Sequence, residues 1–150
     1  MLRPATEDDL EALVAVVTAS EWWGTGADRD DVLLDGSAFV VEVDGEMAGW
    51  LGVDEEREPE YKYAALDIIL APAYQDRGLG PEALRTAIDW LVRERGHHRF
   101  TIDPAVRNSR AIRAYEKVGF RPVGVMRMCE RGRDGTWHDG LLMDLLATDL

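Results

Sequence analysis

The sequence predicts an α/β domain built on one mixed sheet. Segments with strand and helix patterns alternate in the order β, α, α, β, β, β, α, β, α, β, β. One of these strands is almost continuously apolar in its C-terminal half, as expected when both faces of a sheet are covered. The length of 150 residues suits one core, and no linker, repeat or low-complexity segment divides the chain. We therefore expect a single domain over residues 1–150.

The first predicted elements are a short strand over 2–4 and two helices. Apolar residues recur at helical spacing over 7–19, where Thr6 suits the N-cap position. Acidic residues begin the segment 28–34, and the positive end of a helix dipole favours them there. This segment predicts the second, shorter helix.

A hairpin is predicted next. Residues 39–43 alternate in polarity, and 46–53 form the returning strand. Asp44 and Gly45 between them are a two-residue hairpin turn signal. The polar, acidic residues 54–60 predict a loop.

The central strand over 61–70 leads through a glycine loop into the main helix over 79–95. The first N–H groups of a helix have no partner within it and carry partial positive charge, so such a loop can hold a phosphate. Gly78 and Gly80 allow close approach of an anion, and Pro81 is tolerated in the first helical turn. The signatures of a dinucleotide fold and of a nucleotide P-loop are absent, and a plain strand-to-helix turn stays open on the glycines alone.

The last predicted elements are a strand over 99–103, a helix over 109–117, and strands over 121–130 and 137–146. Gly119 follows the helix as a stop signal. The final hairpin could pair across a homodimer or complete the core of a monomer.

Composition narrows the function. The formal net charge of −12 argues against a nucleic-acid partner and is compatible with a cationic substrate, or simply with solubility. No apolar run approaches the roughly 20 residues of a membrane span, and the N-terminus lacks the apolar core of a signal peptide, so a cytoplasmic location without membrane contact is expected. Cys129 is the only cysteine, and His97 and His98 are expected at the surface, so no metal site is predicted.

Two motifs together resemble one family. Residues 75–80, Gln-x-x-Gly-x-Gly after a strand, resemble the acetyl-CoA pyrophosphate loop of the GNAT N-acetyltransferases. Residues 108–120 are similar to that family's Asn-x-x-Ala-x-x-x-Tyr-x-Lys-x-Gly-Phe. Residues 21–24, 66–70 and 101–120 are further similar to segments of bacterial aminoglycoside 6′-N-acetyltransferases. The resemblance implies the GNAT fold, a mixed sheet of about seven strands with about four helices and splayed central strands.

The resemblance also implies acetyl-CoA as co-substrate and a set of residues that bind it. The pantetheine arm would add to the backbone edge of the central strand, which splays from its neighbour after a bulge. The implied cofactor-binding residues are Ile68, Ile69, Leu70, Gln75, Asp76, Arg77, Gly78, Leu79, Gly80, Pro81, Asn108, Ala111 and Tyr115. Arg77 is the only cation of the loop, and Asn108 could equally be a helix cap.

Three residues are expected to carry the chemistry. Tyr115 matches the family's general acid, which protonates the leaving thiolate of CoA, although a core tyrosine is the alternative. Asp67 interrupts an apolar strand, where a carboxylate is costly unless it meets a cation or a donor. Asp103 ends the adjacent strand at the same sheet edge. Either carboxylate could bind an acceptor ammonium or act as base, and an ion pair or an Asp-Pro turn is the structural alternative.

The acceptor side is expected to include Trp22 and Trp23, whose aromatic faces suit a sugar ring or a cation, unless they serve packing. Glu130 is a weaker candidate, and Glu55 belongs to acidic residues that could rim the cleft or lie in a solvated loop. Cys129 has no activating neighbour in the sequence, so direct transfer in a ternary complex is preferred over an acyl-enzyme.

The sequence thus predicts an acetyl-CoA-dependent N-acetyltransferase acting on a small polycationic amine, with the 6′-amine of an aminoglycoside as first choice. A polyamine, a siderophore amine or a protein N-terminus is the alternative acceptor. A non-catalytic acyl-CoA-binding module is the alternative from another class.

Overall fold

A computed structural model describes the whole chain, residues 1–150, as a seven-stranded mixed sheet with helices on both faces. The strands are β1 (Leu2–Pro4), β2 (Ala38–Val43), β3 (Glu46–Glu56), β4 (Tyr63–Leu70), β5 (Arg99–Ile102), β6 (Arg121–Arg131) and β7 (Trp137–Leu146). They lie in the order β1-β2-β3-β4-β5-β7-β6, and β4 and β5 are the one parallel pair. The predicted fold class and strand number are confirmed.

Four α-helices accompany the sheet, as predicted. They are α1 (Leu10–Ala19), α2 (Arg29–Leu33), α3 (Leu79–Arg95) and α4 (Ser109–Val118). Gly96 adopts a left-handed conformation (φ 67°) and ends α3. Asn108 caps α4 by accepting a hydrogen bond from the Ala111 N–H at 3.2 Å. None of the helices combines the length and apolar character needed to cross a bilayer.

Each face of the sheet carries its own hydrophobic cluster. Neighbouring residues Val40 and Val41 belong to different clusters because side chains alternate along a strand. One face packs against α1 and α2, with Trp50 at its centre, and the other packs against α3 and α4. Fully buried aliphatic side chains such as Leu84 and Leu13 each contribute roughly 1.5–3 kcal/mol.

The two parallel strands separate along their length. β4 and β5 are paired only at Ala64 with Phe100 and at Ala65 with Thr101, so residues 66–70 of β4 have a free edge on that side. β5 ends at Ile102, close to Pro104, which has no N–H to extend the ladder. The predicted splay is confirmed. The expected bulge is wrong, because β4 pairs with β3 along its whole length without a register shift.

The predicted loop over 54–60 is wrong in its first part, because β3 continues to Glu56 against β4. The Glu55 side chain is only 8% exposed there and contacts Arg95 and His97, each at 2.7 Å. His97, expected at the surface, is also buried. The ion pair with Arg95 allows this carboxylate to leave water, and Glu55 does not line the cleft described below.

Candidate active site

A cleft of about 700 Å³ opens where β4 and β5 separate. Its walls come from β4, the β4–α3 loop, the end of β5, α4, β6 and the segment 20–28 between α1 and α2. The predicted site residues that line it are Trp22, Trp23, Asp67, Ile68, Ile69, Leu70, Gln75, Asp76, Gly78, Leu79, Gly80, Pro81, Asp103, Asn108, Ala111, Tyr115 and Glu130. The fold therefore brings residues from six parts of the chain to one cavity.

Arg77 is the one predicted site residue that does not line the cleft. Its guanidinium lies over the Tyr74 ring, 5.5 Å from the ring centre, in a cation–π contact. The side chain is exposed. Arg77, the cation predicted to contact a phosphate, therefore does not line the cavity.

The β4–α3 loop presents the start of α3 to the cleft. Gly78 precedes the helix in a left-handed conformation (φ 75°), which glycine adopts without steric cost. The N–H groups of the first helical turn have no partner within the helix and are available to an anion. The Gln75 side-chain amide donates to the Leu70 carbonyl at 3.1 Å and so ties the loop to the end of β4.

Three cations of α4 face the same cavity, and the sequence reasoning missed them. Arg110, Arg113 and Lys117 all line the cleft. Their spacing of three and four residues places them on one side of the helix, and this spacing could have revealed them. Arg110 also donates to the Gln75 side chain and lies 3.5 Å from Asp76. These three side chains form a basic stripe on α4. The stripe faces the β4–α3 loop, where a phosphate would bind.

The free edge of β4 and the cap of α4 form the middle of the cleft. The main chain of Ile68, Ile69 and Leu70 has no strand partner on the β5 side. An extended group could add to this edge as a further strand would. Asn108 both caps α4 and lines the cleft, so the two interpretations of this residue are compatible.

Tyr115 is buried in the wall of the cleft, with its ring against Phe120. Its hydroxyl is not sealed inside the protein, because it lines the cavity. Burial, followed by the charges of Asp67 and Asp103, raises the pKa of Tyr115 well above its usual value. The phenol therefore stays protonated at neutral pH and can act as a proton donor.

Three carboxylates, Asp67, Asp103 and Glu130, lie in the same cleft. Asp67 is exposed to the open cleft, yet protein encloses it on its other sides. This enclosure, together with the charge of Asp103, raises the pKa of Asp67 to about 7. Burial also raises the pKa of Asp103, and burial followed by the charge of Asp103 raises that of Glu130.

No arginine, lysine or histidine side chain forms a salt bridge with any of the three. The cluster of Asp67, Asp103 and Glu130 thus gathers three carboxylates without a direct ion pair, and only Glu130 is influenced by nearby cations, Arg107 and His138. An ammonium group placed here would lower the energy of all three carboxylates.

The tryptophans form the wall nearest α1. Trp23 packs edge-on against Trp50, with ring centres 5.9 Å apart, while the Trp22 ring lies 5.2 Å from the Arg107 guanidinium. The packing interpretation therefore applies to Trp23, although both rings also line the cleft.

A bulge in β6 supplies the last wall, although the sequence predicted a plain strand over 121–130. Between Met126 and Glu130 the register with β7 shifts, and Met128 takes a positive φ of 49°. The Asp139 side chain accepts a hydrogen bond from the Met128 N–H at 2.7 Å. The bulge brings Cys129 and Glu130 into the cleft lining.

The family model of the acetyltransferase (GNAT) family matches residues 17–120. The chain belongs to the GNAT acetyltransferases. It is 30% identical over 151 residues to aminoglycoside N(6′)-acetyltransferase type 1 of Klebsiella pneumoniae, across 83% of this chain and 75% of that protein. It is 34% identical over 105 residues to spermidine N(1)-acetyltransferase of Escherichia coli, across 70% of this chain and 55% of that protein.

Solved structures of GNAT acetyltransferases share the fold. The Vibrio cholerae spermidine N-acetyltransferase, solved in complex with CoA and spermine, superimposes with a TM-score of 0.84 at 20% identity, over 99% of this chain and 96% of that one. In this GNAT protein no group of three or more His, Cys, Asp or Glu side chains is arranged to hold a metal ion.

Proposed function

We propose that the protein transfers the acetyl group of acetyl-CoA directly to a primary amine of a polycationic small molecule, with the 6′-amine of an aminoglycoside as the first candidate. The observation that carries the proposal is the cluster of Asp67, Asp103 and Glu130. Three carboxylates that form no salt bridge share a cleft with a buried tyrosine and a helix N-terminus. Such a cleft attracts an acceptor with several positive charges.

The cofactor side supports acetyl-CoA as the donor. The pyrophosphate would lie against the N-terminus of α3, with Arg110, Arg113 and Lys117 opposite. The pantetheine arm would extend along the free edge of β4 and bring the thioester towards Asp67 and Tyr115. The Vibrio cholerae relative with bound CoA supports the same choice of donor.

The proposed mechanism follows from the protonation states of Asp67 and Tyr115. An ammonium group bound by the carboxylates loses a proton to Asp67, directly or through water, since a pKa of about 7 leaves this group partly ionised at neutral pH. The free amine attacks the thioester carbonyl and forms the new C–N bond. A main-chain N–H of the free β4 edge would stabilise the oxyanion. As the C–S bond breaks, Tyr115 donates its proton to the departing thiolate, and the second proton that the nitrogen loses on forming the amide restores the phenol, directly or through water.

A polyamine is the second candidate acceptor. The similarity to spermidine N(1)-acetyltransferase favours it, and the same carboxylates would bind its ammonium groups. The Trp22 and Trp23 rings instead favour a cyclic acceptor, because an aromatic face stacks on a sugar ring.

A thiol-release assay tests the proposal. Purified protein and acetyl-CoA are mixed separately with kanamycin, spermidine, streptothricin and lysine, and the product is characterised by mass spectrometry and NMR. Turnover of kanamycin with the acetyl group on the 6′-amine supports the first candidate. Turnover of spermidine alone supports the second. Failure of all four amines would contradict the proposed acceptor class.

A further inference from the structure

The turn between β6 and β7 contacts the segment 20–28 through one side chain, that of Arg133. Its Nε donates to the main-chain carbonyls of Trp23, at 2.9 Å, and Gly24, at 3.0 Å. Its Nη2 donates to the carbonyl of Thr18 in the last turn of α1. A cation at this place also complements the negative end of the helix dipole. The contact joins parts of the chain that are 109 to 115 residues apart.

The turn that carries Arg133 is fixed by its own hydrogen bonds. The Gly132 N–H donates to the Thr136 carbonyl at 2.9 Å. The Asp134 carboxylate accepts from the N–H and the hydroxyl of Thr136, both at 2.9 Å, and contacts His138 at 2.9 Å. Arg133 therefore extends from a well-defined base.

The segment 20–28 is supported locally by Ser20, which accepts hydrogen bonds from the N–H groups of Trp22, at 3.2 Å, and Trp23, at 3.3 Å. It contains no helix or strand. On its inner side Trp23 packs on Trp50, and the Ala27 N–H donates to the Thr18 hydroxyl at 3.1 Å. The carbonyls of Trp23 and Gly24 both depend on Arg133 for their hydrogen bonds. Without this side chain, Trp23 and Gly24 lose these hydrogen bonds to the β6–β7 turn, and Trp22, next to Trp23 in the chain, loses a fixed neighbour.

We infer that Arg133 is a positioning residue for the acceptor, which acts by holding Trp22 and Trp23 in the wall of the cleft. The inference rests on the proposed function, because it assigns these rings to the acceptor side. Arg133 itself does not line the cleft and touches none of the residues on the cofactor side. Loss of the Arg133 side chain should therefore weaken binding of the acceptor amine and leave binding of acetyl-CoA unchanged.

The test compares Arg133→Ala with Arg133→Lys, which keeps the charge but not the fork of donors. Arg127→Ala is the control, since it removes the same charge from an exposed position of β6. For the amine that the wild type turns over, Arg133→Ala should raise the acceptor KM roughly tenfold, with Arg133→Lys between it and the wild type. The KM for acetyl-CoA should change less than about twofold.

A second readout, amide hydrogen exchange over 20–28, needs no acceptor. Exchange should be faster in Arg133→Ala than in the wild type and Arg127→Ala, and unchanged along β4 and α3. Unchanged exchange over 20–28, or an equal rise in the KM of both substrates, would overturn the inference. If the wild type turns over no amine, the proposed function fails, and the exchange rates alone decide whether Arg133 holds the segment. If Arg133→Ala does not fold, Arg133→Lys provides the same comparison.

Discussion

Asp67 in β4 and Asp103, which directly follows β5, each lie two residues beyond the last paired residues of the parallel strands, Ala65 and Thr101. Both carboxylates line the cleft that opens where the two strands separate. Their proximity is visible in the pKa of Asp67, which the charge of Asp103 helps to raise. The divergence that opens the donor site thus also exposes the charged pair.

The pH dependence of catalysis should report Asp67. With its pKa raised to about 7, the carboxylate is protonated below that pH and can neither attract nor deprotonate an ammonium group. We expect kcat/KM for the acceptor to rise with pH through about 7. Asp67→Asn should lower kcat/KM and remove this inflection, whereas Asp8→Asn, at an exposed site, should not. A pH–rate profile of Asp67→Asn with the wild-type inflection would refute the role of Asp67.

Tyr115→Phe should lower kcat by about 10²- to 10⁴-fold, because the departing thiolate loses its proton donor. The KM for acetyl-CoA should be nearly unchanged, since the ring and its packing on Phe120 remain. Steady-state kinetics with both substrates provide the measurement. Tyr61→Phe, at an exposed tyrosine, is the matched control and should behave as the wild type. Full turnover by Tyr115→Phe would exclude the general-acid role.

The basic stripe of α4 should bind the phosphates of acetyl-CoA. We expect Arg113→Ala to weaken the binding of CoA roughly five- to tenfold, because one charge-assisted contact is lost. Calorimetric titration with CoA at low and high salt would show a weaker salt dependence in the variant. Arg57→Ala, also exposed, is the control for the change in net charge. Equal CoA affinity of Arg113→Ala and the wild type would place the phosphates elsewhere.

The buried contacts of Glu55 should contribute to stability. The Arg95 guanidinium, and secondarily His97, lower the pKa of Glu55 from 4.5 to about 2. Because the folded-state pKa is depressed, this stabilisation is present above about pH 4.5 and lost as the pH falls towards about 2. Glu55→Gln should lower the free energy of unfolding by about 1–3 kcal/mol at neutral pH.

Urea denaturation of Glu55→Gln at neutral and acidic pH measures this contribution. Glu60→Gln, at an exposed residue, is the control. The difference from the wild type should shrink below about pH 4.5. A difference that is absent at neutral pH, or that grows on acidification, would contradict the assignment.

Much of the fold could be predicted from local patterns. The ranges of α3 and of β7 agree with the predictions, because helical periodicity, Gly96 and a clear turn mark their ends in the sequence. The hairpin at Asp44 and Gly45 is confirmed, with both residues at positive φ, as this turn requires.

The features that the sequence did not predict depend on contacts between residues far apart in the chain. Nothing in the acidic stretch around Glu55 shows that Arg95, 40 residues later, will pair with it. The bulge at Met128 and the link from Arg133 to the segment 20–28 likewise arise only when β6 and β7 are in place. Side-chain direction explains the difference between Arg77 and Arg110, since sequence proximity to the loop did not decide which arginine faces the cleft.

The central claim is that the carboxylate cluster binds the charged acceptor. Its most direct test is calorimetric titration of CoA-saturated protein with the amine that supports turnover, for the wild type, Asp67→Asn and Asp103→Asn. The account predicts that each substitution weakens acceptor binding roughly tenfold or more, and that the double variant is weaker still. Acceptor affinity that is the same in all four proteins would contradict it.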